Sequence, residues 1–375
     1  MQLQGRTLSV RLIWPFIRGI GIDAEAAEQF SRAGFGSADF TKPTTRIPHD
    51  LAIHVLESYV QRTGDVSIGL RAGTLAEPGD LEPLERLSQC ADTLREGLRS
   101  FGRCVRTLHG AAVLWLIEGP REALWRFQTT DGTEPSPAAN DFIITCIGAF
   151  ANRCATVKEP AVEVHFTHAR PAYGAVYERV FQTSRIRFGM PHNGLVFRRS
   201  WIDQPMPWSH PELRAGMELA LLPKRRGAGG DLRDRVSEIV LGSLAGGGPS
   251  MPVAAGALGM SVATLRRRLT AEGTGFNEIV NDMRRTVAEI FLLSSTPASE
   301  IAQLLGFAHV PAFYAAFRRW TGATPATYRA QLLDLESERQ VAADSQPPPA
   351  GGTLRMPMED VLSGVGLQRQ SLSVG

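Results

Sequence analysis

Arg266, Arg267 and Arg268 stand in a row on a stretch whose apolar residues, Leu265 and Leu269, are four apart. That step stacks side chains on one face of a helix. With the leucine face turned inward, the guanidinium groups are left outside, where their planar forks match the paired acceptors of a guanine edge or a phosphate. Further along, Phe313 and Phe317 repeat the four-residue step, and Arg318 and Arg319 follow. An arginine triplet on a helix is by itself usually a solvated face, so the weight rests on the elements that present it.

Those elements form an imperfect repeat. Ala-x-x-Leu-Gly occurs at Ala255 to Gly259 and again, 47 residues later, at Ala302 to Gly306. In each copy a helix ends at glycine, a few residues turn, and the next helix opens on the spaced apolar pair. A small alanine allows two helices to cross closely, and glycine accepts the positive φ of the turn. This is a doubled helix-turn-helix, and the free face of each second helix suits a DNA major groove. Ser250 is expected to cap the helix of Met251 and Pro252, and Thr296 to cap one that begins at Pro297. Between the motifs, Phe276 to Leu293 reads as a helix buried through Ile279, Met283, Val287, Ile290 and Phe291, about 27 Å long. Such a spacer can hold two recognition helices about one DNA turn apart.

The segments Ile301 to Phe307, Phe317 to Gly322 and Thr324-Pro325 to Tyr328-Arg329, with Phe313 among them, resemble the signature of the AraC/XylS family of transcription regulators. Earlier in the chain, Arg46-Ile47-Pro48, Gly64 to Leu70 and Phe181 to Phe188 resemble the effector domain of one subgroup, called arabinose-binding. That label does not identify the ligand. The resemblance implies double-stranded promoter DNA as partner and activation through RNA polymerase. It carries base reading to Ala263, Arg266 and Arg267 within a recognition helix that also holds Ser261, Thr264 and Arg268. In the second motif it exposes His309, Val310, Pro311, Ala312, Tyr314 and Ala315, followed by Arg318 and Arg319. This copy departs from the family pattern, with Pro311 in place of the usual serine and Ala315 in place of the usual arginine. The first motif is therefore expected to discriminate sequence, Arg267 through guanine, and the second to anchor the backbone.

The first 222 residues read as an α+β domain, helices first and an antiparallel sheet interleaved later. Leu94, Leu98, Phe101, Val105 and Leu108 draw one stripe down a helix within Ala91 to His109, and another helix covers His49 to Gln61. Ala112 to Glu118 and Ala123 to Gln128 flank Gly119-Pro120 as a hairpin does. A helix is expected over Ala138 to Thr156, strands at Val162 to Phe166, Arg185 to Phe188 and Leu195 to Arg198, and a helix at Pro211 to Leu222. Residues 223–230 read as a basic, glycine-rich linker, 231–333 as the all-α DNA-binding domain with its two motifs joined by a linker helix, and 334–375 as a disordered tail.

With 375 residues, 40 basic and 38 acidic, bulk charge names no partner. Cys90, Cys104, Cys146 and Cys154 form no CxxC pair, which fits a reducing compartment. No apolar run reaches the length of a membrane span, so the expected location is cytoplasmic, with no membrane partner. His165 and His168 lie three apart without a third ligand placed by spacing, which disfavours a metal. No GxSxG, nucleophile-base pairing or phosphate-cradling loop is present, and the chain reads as no enzyme, with no cofactor. The first domain is expected to sense a small molecule or to form a homodimer; the alternative is a module that binds another regulator. An enclosed pocket of about 300 to 1,000 Å³ there would favour a ligand, and an exposed apolar patch a protein partner.

Overall fold

The computed structural model describes residues 6–130, 135–171, 173–221, 232–244, 248–293 and 296–331. They divide into two compact units, the first taking nearly all described residues up to Leu221 and the second those from Leu232 onward. The expected linker at 223–230 and the tail at 334–375 lie outside the described residues.

In the first unit the elements run β1 Thr7–Ser9, α1 Trp14–Ile20, α2 Ala24–Arg32, β2 Arg46–Pro48, α3 His49–Thr63, α4 Ile68–Thr74, α5 Leu84–Gln89, α6 Leu94–Cys104, β3 Ala112–Glu118, β4 Glu122–Thr129, α7 Pro137–Cys154, β5 Glu163–His165, α8 Ala175–Phe181, β6 Ile186–Arg187, β7 Asn193–Arg198, α9 Arg199–Ile202 and α10 Pro211–Leu221. A five-stranded sheet has the order β3-β4-β7-β5-β6. All five residues of the expected stripe are buried, but α6 ends at Cys104 and the chain tightens into a 3-10 turn over Val105–Thr107, so Val105 and Leu108 lie beyond it; Phe101 meets Trp125 of β4 and Phe150 of α7 at 5.5 and 4.5 Å between ring centroids. These three rings centre the core between helices and sheet.

Two features differ from the expectation of an antiparallel sheet. β5 pairs antiparallel with β7, Val164 opposite Leu195, but parallel with β6, Val164 opposite Ile186. A parallel neighbour needs a crossover, and α8 lies in the connection between β5 and β6. A second sheet, β1 with β2, pairs Leu8 with Ile47; three-residue strands are too short to leave an alternating pattern. Gly69 and Gly73 of α4 face α7 so closely that a Cβ on Gly69 would fall 1.8 Å from the Ala138 carbonyl oxygen. Glycine there sets the distance between the two helices.

The second unit is helical: α11 Leu232–Ser243, α12 Met251–Ala257, α13 Val262–Ala271, α14 Phe276–Leu293, α15 Ala298–Leu304 and α16 Val310–Thr321, with helix again over 325–331. α14 buries Ile279, Met283, Val287, Ile290 and Phe291, the stripe expected from the sequence.

Candidate nucleic-acid interface and apolar cavity

Both turns of the second unit are built alike. After α12, the amide of Met260 donates to the Ala255 carbonyl at 2.9 Å and that of Gly259 to Gly256 at 3.0 Å. After α15, Phe307 donates to Ala302 at 2.9 Å and Gly306 to Gln303 at 3.0 Å. These are the paired bonds of a Schellman ending, which requires a left-handed residue, and Gly259 and Gly306 have φ of +62° and +73°. Ala255 and Ala302 are buried at the crossings, and Leu265, Leu269, Phe313 and Phe317 are each at most 1% exposed. The inner faces of α13 and α16 are thereby fixed to the bundle.

On the outer face of α13, Ser261, Ala263, Arg266, Arg267 and Arg268 are exposed and Thr264 is half-buried. The Ser261 hydroxyl accepts from the Thr264 amide at 3.1 Å and caps the helix. On α16, His309, Pro311, Ala312, Tyr314, Ala315, Arg318 and Arg319 are exposed and Val310 is half-buried. None of the five guanidinium groups at 266, 267, 268, 318 and 319 has an ion pair or hydrogen bond among the described residues, so all five are free for an external acceptor.

Other arginines of this unit are occupied. Arg284 donates to the Leu305 carbonyl at 3.0 Å and lies 4.8 Å from the centre of the Phe307 ring, tying α14 to the second turn. Burial lowers its pKa from the usual arginine value. Arg329 donates to the carbonyls of Leu292 and Thr296, and Arg285 pairs with Glu289 at 2.8 Å. Nothing in the local sequence separates these from the exposed arginines. Trp320 and Tyr328 are half-buried and pack against Phe317, Tyr328 edge-on to it at 5.3 Å.

Two expected caps take a different form. Ser250 holds the N-cap position of α12 without a side-chain capping bond. The N-cap of α15 is Pro297, not Thr296, and α15 starts one residue later than the sequence suggests. Proline has no side-chain oxygen, and its φ of −62° with ψ of 146° is the extended geometry that enters a helix.

The first unit holds an apolar cavity of about 150 Å³ among α1, α3, α6, α7 and β4, walled by residues such as Leu12, Phe16, Leu56, Phe101, Phe127 and Ile147. It is smaller than the pocket set out as diagnostic of a ligand. No residue of this wall was named as a site from the sequence, because its members come from segments more than a hundred residues apart. Val55, Leu56 and Tyr59 of the α3 stripe line it and leave that helix with no fully buried residue.

Elsewhere the unit buries polar clusters. The two histidines with near-ligand spacing part company. His165 Nε2 lies 2.6 Å from Glu163 and its Nδ1 2.8 Å from His192, whereas His168 reaches Asp141 at 3.1 Å. Glu163 also receives Arg185 and Arg187 at 2.8 and 2.6 Å. Burial pushes its carboxyl up, but the His165 bond and both arginines outweigh that and lower its pKa. No group of three or more ligating side chains among the described residues suits a metal. No helix among them is long and apolar enough to cross a membrane.

Comparison with known proteins agrees with both units. Residues 21–206 match the model of the arabinose-binding domain of AraC transcription regulators, N-terminal, and residues 254–331 match a helix-turn-helix domain; together they cover well over half of the chain. The chain is 33% identical over 185 residues to the ornithine utilization regulator of Pseudomonas aeruginosa, 47% of this chain and 53% of that one. The matched part thus spans about half the length of that relative. It is 27% identical over 282 residues to the HTH-type transcriptional regulator VirS of Mycobacterium tuberculosis, 74% of this chain and 83% of that one. The crystal structure of the transcriptional regulator CdpR from Pseudomonas aeruginosa aligns at a TM-score of 0.39 and 19% identity, covering 85% of this chain and 98% of that one. The relatives are regulators, not enzymes. With an effector-type domain ahead of two helix-turn-helix motifs, the chain belongs to the AraC/XylS family of transcription regulators.

Proposed function

We propose that this protein is a sequence-specific regulator of transcription, an activator, that binds double-stranded promoter DNA in the cytoplasm through α13 and α16. The observation that carries the reading is the set of exposed, unpartnered guanidinium groups at Arg266, Arg267 and Arg268 on a helix whose opposite face is locked into the bundle. Arg267 reads a guanine through a bidentate pair, Arg266 and Ala263 meet neighbouring bases, and Ser261, Thr264 and Arg268 lie near the backbone. In the second motif Arg318 and Arg319 bind phosphate, while His309, Val310, Pro311, Ala312 and Tyr314 offer little hydrogen bonding and fit the groove by shape.

Regulation follows if the first unit binds a small-molecule effector or a second copy in one arrangement of the chain better than in another, since only differential affinity shifts a population. Activation works through contact with RNA polymerase. The name of the ornithine-related relative supports a metabolite-linked role.

Titration of fluorescent duplex libraries at several salt concentrations tests the DNA reading. Arg267→Ala should lose about 1–3 kcal/mol at one base position, whereas Arg318→Ala should weaken all sequences and reduce the salt slope by about one. An even loss from both variants would overturn this division of labour. Failure of the full chain to bind any duplex at low ionic strength would overturn the function, and identical operator titrations with and without a saturating bound effector would remove the sensing role.

A further inference from the structure

The two recognition helices can be laid over one another by their apolar pairs. Leu265 and Leu269 fall on Phe313 and Phe317, an offset of 48 residues, and the same offset carries the N-cap Ser261 onto the N-cap His309. In that alignment Ala263 meets Pro311, Thr264 meets Ala312, Arg266 meets Tyr314 and Arg267 meets Ala315. The position proposed above as a guanine reader thus carries a single methyl group in the second helix.

The packing of α16 turns these residues outward. Phe313, Ala316 and Phe317 are buried on its inner side, so the opposite side carries Pro311, Ala315 and Arg318, which follow one another at steps of four and three. Ala312 and Tyr314 flank that line and are exposed, and Val310 is half-buried at its start. The side-chain donors on this face stand around its margin: His309 ahead of the helix, Tyr314 at one edge with its ring edge-on to Phe313 at 5.8 Å, and Arg318 and Arg319 at the far end. Arg318 lies seven residues beyond Pro311, about 10 Å along the axis. The amino-terminal half of a recognition helix is the part that meets base edges. In α16 that half is a patch of small hydrocarbon groups with two cations behind it.

We propose that α16 reads thymine, through contact of Pro311, Ala312 and Ala315 with the 5-methyl groups in the major groove. The thymine methyl is the apolar feature that a base pair presents there, and alanine is among the side chains suited to it. Cytosine has a hydrogen in place of that methyl and forfeits the contact. Small side chains also matter for reach. With nothing longer than a proline ring on the outer line before Arg318, the helix can come close enough to the base edges for one methyl to touch another, while Arg318 and Arg319 hold phosphate from the far end. The two motifs then apply different chemistry to one duplex, hydrogen bonds to guanine at α13 and hydrocarbon contact with thymine at α16. This rests on the DNA reading proposed above, and it gives the second motif a base preference in addition to its anchoring role.

Deoxyuridine substitution tests the proposal, because it removes the methyl and keeps the base pair. The full chain first selects duplexes from a random library of about 30 base pairs, enough for two major grooves one turn apart. Thymines in each half of the selected site are then replaced by deoxyuridine in turn. One half should lose about three- to fourfold in affinity for each contacted methyl, the effect of burying one CH2-sized group. The double variant Ala312→Gly, Ala315→Gly removes the methyls on the protein side, and in that same half it should shrink the deoxyuridine penalty. Circular dichroism and thermal melting check that the variant folds; if it does not, Ala315→Ser, which adds a hydroxyl at the contact, takes its place. A selected site without thymine, deoxyuridine bound as tightly as thymine in both halves, or a penalty of unchanged size in the variant overturns the proposal. The last result would assign the effect to DNA shape and not to methyl contact. Each of these outcomes leaves the DNA reading standing, whereas a wild-type chain that selects no duplex at low ionic strength overturns that reading and this proposal with it.

Discussion

Arginine identity says little about arginine role at the residue scale. Arg266 and Arg284 are the same side chain on neighbouring helices, yet one guanidinium stands free in solvent while the other spans a carbonyl and an aromatic ring. What separates them is the register of each helix against the core. Histidine carries a similar lesson, with a sign that can be measured. His109 and His192 are buried, and desolvation holds their folded pKa values below the ordinary 6.5, that of His109 at about 3. Between those pH values the unfolded chain binds protons that the folded chain refuses. The His109 contribution to stability is therefore complete above about pH 6.5 and is lost as pH falls towards 3, and that of His192 is lost in the same direction. The urea midpoint should drop between pH 7 and pH 5, and the drop should be smaller in His109→Leu. A drop of the same size in the variant would show that His109 titrates normally in the folded protein.

At the scale of elements, the two helix-turn-helix copies share one backbone solution and differ in how tightly it is enclosed. Adding a Cβ at Gly259 meets nothing within 4 Å, so Gly259→Ala bears the left-handed strain alone, about 1–2 kcal/mol. At Gly306 the same Cβ would also lie 3.0 Å from the Leu244 carbonyl oxygen of the preceding helical segment. Gly306→Ala should destabilise more than Gly259→Ala in denaturant melts. If the two cost the same, Leu244 yields and the second turn is less constrained than its packing indicates. The turn sequence had marked both glycines as equivalent, since a neighbour just beyond α11 is invisible to it.

The whole molecule has apolar surface left over. Trp208 is 73% exposed just before α10, and Leu219 within α10 is 75% exposed. If the homodimer proposed above forms through this part of the first unit, such residues are the ones it would cover. Sedimentation of the full chain at micromolar concentration should give a dimer, and Trp208→Ser with Leu219→Glu should shift it towards monomer. A wild-type monomer at all accessible concentrations would remove the homodimer from the proposed function.

By itself the sequence determined the doubled turn, the buried stripe of α14, the exposed arginine row and the division into a mixed and a helical part, because each is written in local spacing: period 3.6, period 2, or a glycine at a fixed offset. It left the parallel β5–β6 pair, the one-residue shift at Thr296, the duty of Arg284 and the cavity around His109 to tertiary structure. Those depend on which distant segments meet. Leu8, His109 and Phe142 line one cavity although no local pattern links them.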